Sequence, residues 1–123
     1  MPRIAIDFDG TINIAPWGEP FALAPNCLKT LKYLRSKKHI LILHTLRGNR
    51  HLDEALDWLS KFFVFDEVNS QADFTDSPKV WADMYVDDQS FNAPLTKDGN
   101  FDWLKLLIWS LEHEMKSRAI YYD

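Results

Sequence analysis

Cysteine is almost absent from this chain: Cys27 stands alone among 123 residues, so no intrachain disulfide can form and nothing points to an oxidising compartment. Its thiol reads as a small apolar side chain on a helix. No apolar run is long enough to span a bilayer, and the N-terminus enters a strand without a signal-peptide pattern, so a cytoplasmic protein with no membrane partner is expected. Basic charge is in deficit, with 14 Lys and Arg against 18 Asp and Glu, a net charge of -4. That balance argues against a general nucleic-acid coat, although a nucleotide or a terminal phosphate needs only a local basic site. The histidines His39, His44, His51 and His113 share no convincing metal-ligand spacing and read as strand-end or surface residues. Repeats, low-complexity tracts and linkers are also missing, so residues 1–123 read as one domain with a single core.

What is present is an ordered globular composition, 46% hydrophobic and 14% aromatic. The chain is organised around residues 4–11. Ile4, Ala5, Ile6 and Phe8 form a short apolar run suited to a central strand covered on both faces. Asp7 and Asp9 appear where burial ends, and a carboxylate there must be paired, hydrogen-bonded or bound to a cation. Gly10 lets the backbone turn sharply, and Thr11 sets a hydroxyl and an N–H beside the acids. The alternative is a plain hairpin, since Asp9-Gly10 is a turn signal and residues 11–14 alternate as a second strand does.

Residues 13–24 read as an ordered flap over the end of the first strand, with Trp17 either packed on its own domain or touching a ligand. Pro25 opens a helix that carries Leu28, Leu31 and Leu34 inward. Residues 40–43 form a second buried strand that ends in His44, Thr45, Leu46 and Arg47. A hydroxyl and a guanidinium thus arrive together at a strand's carboxyl edge, where ligands gather in α/β sheets. A helix over 50–61 follows, then a third strand at 62–65 and a polar loop over 66–77. Lys79 precedes a fourth strand, Met84-Tyr85-Val86, which runs into Asp87-Asp88, a carboxylate pair that invites a hard cation. The last helix is expected over 101–116, with Phe101, Leu104, Ile108, Leu111 and Met115 as its core stripe. Trp103, Leu106 and Trp109 lie on its flank, either packed on their own sheet or available for self-association.

Taken in order, DFDGTI at residues 7–12, Thr45, Lys79 and Asp87-Asp88 resemble the four motifs of the haloacid dehalogenase (HAD) superfamily of phosphotransferases. The resemblance implies Mg²⁺-dependent hydrolysis of a phosphomonoester through an aspartyl-phosphate. Asp7 is then the nucleophile, Asp9 the general acid/base, and Thr45 and Lys79 stabilise the phosphoryl oxygens. Gly10, Thr11 and Arg47 fall to substrate binding. Mg²⁺ is held by Asp7, the Asp9 main-chain carbonyl, Asp87 and Asp88. An unperturbed Asp carboxyl titrates at about 3.9, so Asp7 is expected to be ionised at neutral pH.

The fold expected is a three-layer α/β sandwich with a mostly parallel, Rossmann-like (HAD-like) sheet, its first strand between the second and the fourth. Residues 12–24 and 66–78 are too few to form a cap domain. An uncapped site admits a small phosphate ester, a nucleotide or an oligonucleotide end, in a monomer or a homodimer. Two further readings stay open: a non-catalytic scaffold of the same fold, and a phospho-Asp signalling module, in which the acids, Thr and Lys come in another order.

Overall fold

A computed structural model describes residues 2–69 and 80–115. Four short strands carry the sheet: β1 (Arg3–Ile6), β2 (Ile40–Leu43), β3 (Glu67–Val68) and β4 (Met84–Val86). All pair in parallel in the order β3-β2-β1-β4, so β1 lies between β2 and β4 as the sequence suggested. The helices are α1 (Cys27–Ser36), α2 (Asn49–Leu59) and α3 (Trp103–Glu112).

The period of two along a strand sorts the core. Ile4, Ile6, Leu41 and Leu43 face one side, where they meet Cys27, Leu31 and Leu34 of α1, Ala55 and Leu59 of α2, and Trp103 and Leu106 of α3. Ala5 and Ile42 face the other side and pack on Val80 and Ala82. Crossover handedness explains the division. The steps β1 to β2 and β2 to β3 run the same way, so right-handed connections put α1 and α2 on one face. The step from β3 to β4 returns past β2 and β1, and of the residues that precede β4, Val80 and Ala82 lie on the opposite face. Helices on one face, the parallel sheet, and Val80 and Ala82 on the other face fit a three-layer α/β sandwich. Among the described residues there is no cap domain, and no helix is long and apolar enough to cross a membrane.

Cys27 is fully buried, as its apolar reading required, and burial pushes its thiol up from the ordinary value. Two expectations are corrected. The third strand is Glu67–Val68 and not the aromatic run at 62–65. Phe62 and Phe63 donate their N–H groups back to the Leu59 carbonyl, which continues the last turn of α2. Phe63 is then buried beneath the Arg35 guanidinium, 4.1 Å from its ring centre. Pairing with β2 falls to the next residues, where Glu67 takes two hydrogen bonds from Arg3 (2.8 and 3.2 Å).

The inward face of α3 is the second correction. Leu104, Ile108 and Leu111 are exposed at 44%, 46% and 61%, whereas Trp103 and Leu106 are buried. Asp102 caps the helix by accepting the Lys105 N–H, so the helix starts two residues later than expected. The Trp103 indole N–H reaches the Thr11 carbonyl at 2.8 Å, and burying that large ring with its polar atom satisfied sets the rotation of the helix. Of Trp103, Leu106 and Trp109, only Trp109 keeps a surface position.

Candidate acidic site

Strand register assembles the site. Ile6 is paired with Leu43 on one side and Val86 on the other, so the next residues Asp7, His44 and Asp87 leave the sheet side by side. Two backbone bonds continue the ladder beyond the strands, from the Asp7 N–H to the Val86 carbonyl (2.9 Å) and from the His44 N–H to the Ile6 carbonyl (2.8 Å). Asp7, His44 and Asp87 line one cavity of about 350 Å³ with Tyr85 and Ser90.

Carboxylate oxygens of Asp7, Asp87 and Asp88 come within 4.8 Å of one another. Burial pushes the Asp7 carboxyl up to about 7, and the neighbouring charges of Asp87, Asp88 and Asp9 add to the rise against a lowering hydrogen bond from the Phe8 backbone. In the protein alone, this carboxyl therefore holds its proton to higher pH than the free aspartate on which the expectation of an ionised Asp7 rested. Three converging acids, one of them held up in this way, suit a hard divalent cation with oxygen ligands.

Gly10 and Thr11 shape this cluster. Gly10 has φ +85°, and a Cβ there would lie 2.6 Å from Asp88 Oδ2, so the glycine makes room for the carboxylate. The Thr11 hydroxyl lies 3.2 Å from Asp88 Oδ1 and 3.4 Å from Asp7 Oδ2, and accepts the Asp88 N–H at 3.1 Å. Asp87 is oriented by the Gln89 N–H, which it accepts at 2.8 Å.

Asp9 belongs to a second cluster beside the first. Arg47 donates to both its oxygens, Nε to Oδ2 at 2.7 Å and Nη2 to Oδ1 at 2.9 Å, and the Asn13 amide donates to Oδ1 at 3.3 Å. The Arg47 guanidinium is buried among the rings of Trp17, Phe21 and Phe8, at 4.4, 5.1 and 5.2 Å from their centres. Arg47, which the resemblance assigned to substrate binding, is thus paired with the Asp9 carboxylate. Thr45 is buried at the end of β2, its hydroxyl accepting the Arg47 N–H (3.1 Å) and its N–H donating to Asn69 Oδ1 (2.9 Å). Lys79 lies outside the described residues.

Two features escaped the sequence reading. His44 lines the acidic cavity, and the flap residue Trp17 joins His51 (ring centres 5.1 Å apart) beside Arg47. The position of His44 was recoverable in principle from the register of β1 and β2. That of Trp17 was not, because its neighbours come from a separate helix.

Neither a family model nor a curated protein matches the chain. One solved structure, described as that of a conserved protein coded by a locus from Bacteroides thetaiotaomicron, is similar over nearly the whole length. It is 31% identical, with a TM-score of 0.74, and the match covers 99% of this chain and 98% of that one.

Proposed function

The chain belongs to the same family as this conserved Bacteroides thetaiotaomicron protein, and we propose that it is a magnesium-dependent phosphomonoester hydrolase acting through an aspartyl-phosphate on Asp7. The observation that carries this reading is the convergence of Asp7, Asp87 and Asp88 at the carboxyl ends of two neighbouring parallel strands. The order of Asp7, Asp9, Thr45 and Asp87-Asp88, which resembles the HAD superfamily, supports it.

Asp7, Asp87 and Asp88 would hold Mg²⁺, with the Asp9 carbonyl as a further oxygen ligand implied by the resemblance. Bound there, Mg²⁺ supplies the positive charge that lets an anionic carboxylate approach an anionic phosphate. An Asp7 oxygen would form the new bond to phosphorus while the ester P–O bond breaks, and the departing oxygen would take a proton from Asp9 once that carboxyl has taken up a proton and released one of its two Arg47 hydrogen bonds. Asp9 then removes a proton from the water that cleaves the acyl phosphate and frees Asp7. Thr45, just beyond the end of β2, would offer its hydroxyl to the phosphoryl oxygens, as the resemblance implies.

Turnover of a phosphate-ester panel by the purified chain, with Mg²⁺ and with EDTA, tests the reading. We expect hydrolysis that EDTA abolishes, and Asp7→Asn should reduce it by about a thousandfold or more while the fold persists. Substantial residual turnover in a metal-loaded Asp7→Asn protein rules out the covalent mechanism. A folded wild type that hydrolyses no ester on the panel identifies the chain as a non-catalytic scaffold.

A further inference from the structure

Helix α3 turns an apolar face outward. Leu104, Ile108 and Leu111 recur at helical spacing and are all exposed, with Trp109 beside them. A groove of about 510 Å³ runs between this helix and the edge strand β4, and among the described residues its only charged lining groups are Lys105 and Glu112. We propose that, whatever the chain hydrolyses, this face binds a second copy of the chain, α3 against α3 in antiparallel, to form a two-fold symmetric dimer.

The charges choose both the partner and its direction. Lys105 and Glu112 lie on one face of α3, about two turns and about 10 Å apart along its axis, too far to pair with each other. Neither makes a salt bridge among the described residues. Laying a second α3 across the first in the reverse direction brings Lys105 opposite Glu112 of the second copy and Glu112 opposite its Lys105, with Ile108 and Trp109 at the two-fold axis between them. A parallel pair would instead set like charges together. The face is thus complementary to itself in one direction only, as a symmetric contact between identical surfaces requires.

Shape agrees with charge. Leu104 and Ile108 form a ridge one helical turn apart, and the groove beside it takes the same ridge from the copy. At the centre, Trp109 is braced by stacking on His113, with ring centres 4.8 Å apart and planes inclined by 11°. A large aromatic ring already held in position loses little freedom on contact, which suits the middle of an interface.

The pairing also shields the sheet. Strand β4 is three residues long, with β1 on one side and no strand on the other among the described residues, and it lines the groove that the copy fills. Because α3 has ten residues where a standard interface takes about 20–30 a side, the dimer is weak and reversible.

Sedimentation velocity of the wild type from micromolar to submillimolar concentration should show a reversible monomer–dimer equilibrium. Lys105→Glu and Glu112→Lys each put like charges at both ends of the pair and should raise the dissociation constant by about tenfold or more, with the wild-type circular dichroism retained. Mixed in equal amounts, the two variants should recover the dimer, since the acidic ends of one chain then meet the basic ends of the other. Ile108→Ser, a change without charge at the two-fold axis, should weaken pairing by about as much. A wild type that stays monomeric throughout overturns the proposal and leaves this face to a different partner. A dimer that these substitutions leave intact, or that the mixture fails to restore, is built on another surface and overturns it equally.

Discussion

At the scale of single residues, the two aspartates of Asp7-Phe8-Asp9 are separated by their environments. Alternation turns Phe8 into the helical core between them, Asp7 joins the other acids, and Asp9 meets a guanidinium. A buried arginine is stable only if its donors are matched, and here Asp9 and the His51 carbonyl match them while three rings cover the cation. Arg47 is therefore a positioning residue for the group proposed as general acid/base. Arg47→Met keeps much of the packing and releases Asp9. It should lower kcat on an alkyl phosphate by about tenfold or more, and distinctly less on p-nitrophenyl phosphate, whose leaving group needs little protonation. Equal losses on both substrates would show that Arg47 holds the fold and not the proton donor.

At the scale of elements, α3 shows how a helix rich in apolar residues is oriented. Its sequence offers two candidate stripes, and the structure buries the one containing Trp103 and Leu106. That choice reaches the site, because the Trp103 indole holds the Thr11 carbonyl and the Thr11 hydroxyl meets Asp7 and Asp88. Leu106→Ala should cost about 2–4 kcal/mol in urea unfolding, as expected of a large-to-small change in a core. Ile108→Ala, on the exposed face, should cost about 1 kcal/mol or less. The reverse ranking would restore the stripe through Leu104 and Ile108 as the buried one.

At the scale of the whole molecule, the acidic site works against the stability of the fold unless a cation is present. The Asp7 carboxyl is raised from 3.8 in the unfolded chain to about 7 in the folded protein. Between those values the folded form keeps a proton that the unfolded form has lost. The folded state is thus progressively disfavoured as pH rises through this window, and the full cost remains above it. His39 acts with the opposite sign, since burial and the nearby Lys37 charge lower its value, so the comparison must be made against Asp7→Asn. We expect the mutant to gain stability over the wild type in EDTA as pH rises from 5 to about 8. Saturating Mg²⁺ should close much of that gap by stabilising the ionised wild type more. A difference that is flat with pH, measured by thermal melts, would mean that Asp7 is not strained by its neighbours.

Alternating apolar runs, helix-period leucines and carboxylates at strand ends depend on spacing of two to four residues, and they were legible from the chain alone. They were enough for a parallel α/β fold with β1 between its neighbours, and for Asp7 and Asp87-Asp88 at one sheet edge. The β3 pairing, the rotation of α3, the raised Asp7 carboxyl and the partner of Arg47 were not legible. Each depends on contacts between residues far apart in the chain, such as Arg3 with Glu67, Trp103 with Thr11 and Arg47 with Asp9. An apolar run states that a segment is buried, and only the packing of the other elements decides which side of it is covered and which carboxylate finds a cation.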